Sequence, residues 1–176
     1  ILLIIIFIVA GFVYKGHELY KQALEKISIS DKVAEIKSDE NYTKLEDMSE
    51  FYKDAVIAVE DRRFYEHGAI DPIALARAIY SNIKAKELRE GGSTITQQLV
   101  KNITQDKESS GINGILRKVK EWAKAYQVEN ELSKNQILEL YLNLILVGGR
   151  NYGVQTGAEY YFNTDASNLS IAQCAF

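Results

Sequence analysis

Residues 133–144 read SKNQILELYLNL. Ser133 and Gln136 spell a capping box, in which the serine hydroxyl accepts from the third helical residue and the glutamine side chain reaches back. The helix they open runs through Ile137, Tyr141 and Leu144 and is apolar nearly all round. Such a helix has no side to offer water, so other elements must enclose it. Residues 133–144 therefore belong at the centre of a core.

The enclosing elements also read as helices. One Pro and eleven Gly interrupt 176 residues, of which 47% are hydrophobic and 26% charged. That suffices for one domain with a sizeable core, and long apolar-periodic runs make it mainly α. Residues 51–60, FYKDAVIAVE, form a helix that ends in a charged cluster. Asp71-Pro72 opens another, with Asp as N-cap and Pro at the first helical position, and apolar residues at 73, 76, 80 and 83. A helix over 112–131 carries a stripe at Ile115, Val119, Trp122 and Tyr126. Gly148-Gly149 breaks the central helix, Asn151–Phe162 reads as a further helix, and SIAQCAF begins one more. The domain's last helices are expected beyond Phe176.

Residues 1–13, ILLIIIFIVAGFV, carry no charge and are followed by Tyr14 and Lys15, which suit a membrane interface. A spanning helix needs ~20 apolar residues, so this run reads as the latter part of a transmembrane helix, with a signal-peptide core as the competing explanation. The organisation expected is a partial anchor at 1–15, a polar juxtamembrane stalk at 16–50 and the globular domain at 51–176.

The net charge of −3 excludes a general affinity for nucleic acid, so any anion site must be a local basic cluster. The single cysteine, Cys174, rules out an intramolecular disulfide and a cysteine-based zinc site, and reads as a small buried apolar residue. No GxxxxGK phosphate loop or HExxH zinc motif occurs. SNIK at 81–84 lacks the companion elements of penicillin-recognising serine enzymes.

Three segments carry chemistry. EGGSTITQQLVKN, 90–102, places Thr94, Gln97, Gln98 and Lys101 on one side of a helix, with Ile95, Leu99 and Ile103 on the other. The glycines before it let backbone N–H groups approach a ligand at a helix N-terminus. Solvated faces are usually rich in Glu and Lys, so a face of hydroxyls and amides favours a ligand site. VEDRRFYEHGAID, 59–71, puts Glu60 at the end of the apolar run Ala55–Val59. That predicts a half-desolvated carboxylate suited to acid–base work, although local pairing with Arg62 and Arg63 explains the cluster as cheaply. RKVKEW, 117–122, sets Arg117 and Glu121 one turn apart with Lys118 between them. Spacing alone does not decide between an exposed ion pair and a phosphate grip with a carboxylate embedded in it.

Five segments in order, AVEDRRFYEH, GGSTITQQLVKN, RKVKE, ILELYLN and YGVQTGAEYYF, resemble the peptidoglycan glycosyltransferases, family 51 of the glycosyltransferases. The likeness covers roughly residues 42–176. It implies a lysozyme-like helical domain, held by a single-pass anchor on the outer face of the bacterial cytoplasmic membrane, that polymerises lipid II into glycan strands. In such enzymes a chain on undecaprenyl diphosphate is the donor and lipid II the acceptor. By resemblance, Glu60 is the general base on the acceptor GlcNAc 4-hydroxyl, and attack inverts the donor anomeric carbon. Lys101, Arg117 and Lys118 hold the diphosphate, Glu121 orders that site, and Ser93, Thr94, Gln97 and Gln98 line the cleft. A moenomycin-type inhibitor fits the same family. No resident metal is implied by the residues, while a divalent cation (Mg or Mn) at the diphosphate is compatible with the chemistry.

The chain departs from the family pattern in places. Ala69 stands where H-x-G would put Gly, and Asn113 stands where a basic residue is common. The loop before Arg117 is longer and carries Lys107. A lysozyme-type hydrolase and a non-catalytic wall-binding scaffold are the alternative classes. A hydrolase has no diphosphate to hold, and a scaffold has no use for Glu60 and Glu121 together.

Overall fold

The structure, a computed structural model, describes Glu18 and residues 28–85, 91–104 and 111–175, the side chains of Ile112 and Ile115 excepted. The described part is mainly helical, as expected. Helix α1 spans Ile29–Lys37, α2 Glu50–Glu60, α3 Pro72–Ala85, α4 Ile95–Thr104, α5 Gly111–Glu131 and α6 Lys134–Leu144. A small antiparallel hairpin, β1 Leu146–Gly148 and β2 Asn151–Tyr152, leads into α7 Val154–Phe162, and α8 spans Ile171–Cys174.

Helix α6 is the central element that its sequence predicts. Its capping box is formed, and Ile137, Leu138, Leu140, Tyr141 and Leu142 are all buried. Helix α4 packs along it and also against α5, while α1 and α7 cover other sides. Ile95 and Leu99 of α4 meet Phe64, Val128 and the α6 leucines in one continuous core. Burial of these side chains contributes ~1.5–3 kcal/mol each before the entropy of ordering them is set against it.

Four features differ from the sequence reading. Residues 28–50 are not a free stalk. Ile29 and Met48 are buried in the core, Val33 and Ile36 pack on it, and Thr43 exchanges hydrogen bonds with Asn143 of α6. The weak periodicity of this stretch concealed how few apolar residues are enough to dock it. Second, Asn151 and Tyr152 belong to β2, and α7 starts only after Gly153, whose φ of 82° interrupts a helix. Third, the apolar positions of α3 face outward: Ile73, Tyr80 and Ile83 are 62%, 68% and 72% exposed. Fourth, Tyr126 of the expected α5 stripe is exposed, and Ala125 and Val128 do the packing instead. The expected anchor at 1–15 lies outside the described residues. Among those described, no helix is long and apolar enough to cross a membrane.

Candidate active site

The site begins where α2 ends. The Asp61 carboxylate accepts from the Ile95 N–H, the first of α4, at 3.0 Å, and its other oxygen lies 2.7 Å from His67 Nε2. A buried donor at a helix N-terminus, which has no partner within its own helix, is thus satisfied by the residue that closes the preceding helix. This clamp fixes the C-terminus of α2 against the first turns of α4. Glu60, one residue earlier, consequently meets Gln98: Gln98 Nε2 donates to Glu60 Oε2 at 2.9 Å. Behind it, Tyr141 Oη of α6 donates to Gln98 Oε1 at 3.0 Å.

Glu60 itself is exposed, contrary to the half-desolvated carboxylate expected from the run before it. Only Val56 of Ala55–Val59 is buried, and Val59 faces outward beside Glu60. The carboxylate stands between two cavities and lines both. One, about 520 Å³, is apolar, with Tyr52, Val56, Val59, Ile145, Leu169 and Cys174 in its wall. Cys174 is therefore half-buried at a cavity rather than sealed in the core. The other, about 270 Å³, is lined by Arg62, Arg63, Arg77, Gly91, Gly92 and Ser93. Gly92 lies so close to α3 that a Cβ there would sit 3.2 Å from Leu75 Cα, which explains a glycine at that point of the wall.

Ser93 joins this cavity to the basic segment of α5. Lys118 Nζ donates to Ser93 Oγ at 2.8 Å and pairs with Glu121, whose second oxygen accepts from Arg117 Nη1 at 3.0 Å. Glu121 is buried, so this is no exposed helix pair, and two cations around one carboxylate leave a net positive charge. Ser93, Arg117, Lys118 and Glu121 are thereby brought together, and Gln98 is brought to Glu60. Lys101 is exposed in the last turn of α4.

Thr94 lines the polar cavity while its hydroxyl turns inward, and Gln97 is absent from both cavity walls. Both are buried, and both donate to the Ala69 carbonyl, at 3.0 and 2.7 Å. Thr94 also caps α4 by accepting from the Gln97 N–H, and it forms part of the polar cavity wall. They hold the 61–71 loop against α4. Ala69 is itself buried in the core, and Asn163 is the one non-glycine residue with positive φ among those described. A methyl group is thus accommodated where the family pattern has glycine. Asn113 is exposed, and Lys107 lies outside the described residues.

Asp71 anchors the far end of the loop. It caps α3 through the Ile73 and Ala74 N–H groups, at 2.9 and 3.0 Å, and receives Arg63 Nε at 3.1 Å on its other oxygen. The Arg63 guanidinium, with the helix N–H groups, holds its carboxyl down to about 2. Asp61, His67 and Asp71 bring ligand-type atoms within 4.8 Å of one another. Their oxygens are already engaged by Ile95, Arg63 and the α3 amides, so the cluster reads as a strut rather than a cation site. Glu121 is likewise taken by Arg117 and Lys118.

Two contributors escaped the sequence reading. Asp61 passed as one more charge in a charged stretch, and Tyr141 as a core residue. The signal for Tyr141 was a phenol on a helix otherwise apolar all round, since a buried hydroxyl requires a partner.

Residues 29–176 match a family model described as Transglycosylase. Penicillin-binding protein 1A of Neisseria flavescens is 44% identical over 134 residues, covering 76% of this chain and 16% of that protein. Its counterpart in Neisseria lactamica is 40% identical over 161 residues, 90% of this chain and 20% of that protein. Penicillin-binding protein 1F of Bacillus subtilis (strain 168) is 38% identical over 176 residues, 94% of this chain and 24% of that protein. The chain therefore spans 16–24% of the length of these curated relatives. With a family model covering α1 to α8 and relatives 38–44% identical over most of its length, the chain belongs to the transglycosylase family, the peptidoglycan glycosyltransferases.

Proposed function

We propose that this domain extends glycan strands from lipid II, with Glu60 as general base. The Glu60 carboxylate takes the proton of the acceptor GlcNAc 4-hydroxyl as that oxygen attacks the donor MurNAc anomeric carbon. The bond from that carbon to the diphosphate oxygen breaks from the opposite face. Lipid diphosphate leaves with the electron pair, and the anomeric centre is inverted. Arg117, Lys118 and Lys101 meet the charge that grows on the diphosphate, which is where fixed cations accelerate such a step most. Glu121 holds Arg117 and Lys118 in position, and Ser93 ties Lys118 to the cavity wall.

One observation carries this reading. Glu60 and Ser93 line the same polar cavity, and Ser93 is bonded to the lysine of the basic cluster. A base and an anion grip in one cleft suit a sugar activated by diphosphate, whereas a hydrolase would need only the carboxylates. The outward apolar face of α3 suits apposition to a lipid surface, where a polyprenyl substrate resides. Such a domain works at the outer face of the bacterial cytoplasmic membrane.

The test is polymerisation of labelled lipid II by the full-length protein in detergent. Glu60→Gln is expected to lower the rate by at least ~10²-fold, the usual scale of a general base. Polymer at the wild-type rate in that variant overturns the assignment of Glu60. Cleavage of preformed glycan without polymer formation overturns the transferase reading.

A further inference from the structure

We propose that Tyr141 is a positioning residue for Glu60, acting through the side-chain amide of Gln98. The inference rests on Glu60 being the base, and it gives the central helix of the core a part in the chemistry.

A glutamine amide has one end that only accepts and one that only donates, and the two ends have nearly the same shape. Packing alone cannot choose which end faces Glu60. A carboxylate can only accept, so catalysis by Glu60 in its charged form requires the NH2 end toward it. The carboxylate makes that choice, since a phenol could meet either end, and Tyr141 secures it from behind. Its hydroxyl donates to Gln98 Oε1 at 3.0 Å, which holds the amide with Nε2 at 2.9 Å from Glu60 Oε2. Glu60 Oε1 is left without a hydrogen bond among the described residues, available to a substrate hydroxyl.

The phenol is well suited to this task. Tyr141 is only 3% exposed and sits on the central helix, so its ring does not wander. Burial, then the neighbouring Glu60 charge, push its ionisation well above the ordinary tyrosine range, which keeps the hydroxyl a donor. The amide it orients bridges from the core to an exposed carboxylate. Without the hydroxyl, Gln98 Oε1 is left unpaired near the core, and the amide loses the anchor that holds its donor at Glu60.

The experiment is a double-mutant cycle in the full-length protein, assayed on lipid II with kcat and KM measured separately. Tyr141→Phe keeps the ring and removes only the hydroxyl, and thermal melting checks that the fold is retained. The expected result is a kcat about tenfold lower with KM within about twofold, because the effect falls on the chemical step. Gln98→Met is expected to show a comparable loss, and the double variant no more than the larger single loss. Full kcat in Tyr141→Phe, full kcat in Gln98→Met, or losses that multiply in the double variant would each overturn the proposal. Glu60→Gln is run beside them. If it is inactive while Tyr141→Phe is fully active, the positioning role alone fails. If it is fully active, the base assignment fails first.

Discussion

At the scale of single residues, the site is organised by side chains that bond to the end of a neighbouring helix. Asp61 satisfies the first amide of α4, and Asp71 the first amides of α3. Asp71 illustrates the electrostatics. Arg63 beside it holds its carboxyl at about 2, below the ordinary 3.8. A depressed folded value means that the unfolded chain binds the proton more readily, so the pair stabilises the fold fully above pH ~4 and loses that contribution as pH falls toward ~2. Melting temperatures of the wild type and of Asp71→Asn, measured between pH 6 and 2, test this. The variant, whose side-chain oxygen can still cap α3, is expected to melt several degrees lower at pH 6 and to converge on the wild type near pH 2. A constant difference at every pH would show that the charge contributes nothing. Much at this scale was legible in the sequence: the Asp71-Pro72 start and the capping box at Ser133. The bonds of Thr94 and Gln97 to the Ala69 carbonyl were not. A helical wheel gives the direction of a side chain, while the partner in that direction, the Ala69 carbonyl, comes from a distant loop.

Elements were read correctly where local rules suffice and misread where a neighbouring element intervenes. Residues 151–162 have a helical pattern throughout, yet α7 begins only at Val154. The reason is Gly153. Its φ is 82°, and a Cβ there would lie 2.7 Å from the Asn143 carbonyl oxygen of α6. The hairpin Leu146–Gly148 with Asn151–Tyr152 thus turns tightly over the end of α6 before α7 can start. Gly153→Ala brings both the backbone strain and the collision, and is expected to cost ~2–4 kcal/mol. Denaturant unfolding of the purified variant measures it, and an unchanged midpoint would mean that the turn relaxes freely. Helix α3 teaches a related lesson. Its apolar residues have helical spacing, but Ala78 is the side that packs, and Ile73, Tyr80 and Ile83 remain outside.

For the whole molecule, the packed core takes in residues before position 51, among them Ile29 and Met48. Helix α1 brings Ile29 into the core against the Val100 and Val128 side, and the segment after it is tied to α6 by Glu139 and Asn143. If residues 28–50 were a stalk, truncating Ile29 would be silent. Ile29→Ala is instead expected to destabilise the domain by ~2–4 kcal/mol, the usual cost of removing a buried isoleucine side chain. Chemical unfolding of a protein carrying that change gives the answer, and a shift smaller than the error would return the segment to the stalk. Helix α1 also packs against α6, the helix that carries Tyr141.

By itself the sequence determined that the chain is helical, where most helices start and which helix is central. Those properties depend on interactions within about one helical turn, and capping, periodicity and charge spacing record them directly. Only the tertiary structure decided which side of each helix is covered, that Glu60 stands exposed between two cavities, and that Tyr141 reaches it through Gln98. Glu60 and Gln98 are 38 positions apart, and Gln98 and Tyr141 are 43 apart. No local pattern encodes a contact across such separations, because it exists only once α2, α4 and α6 have packed around a common core.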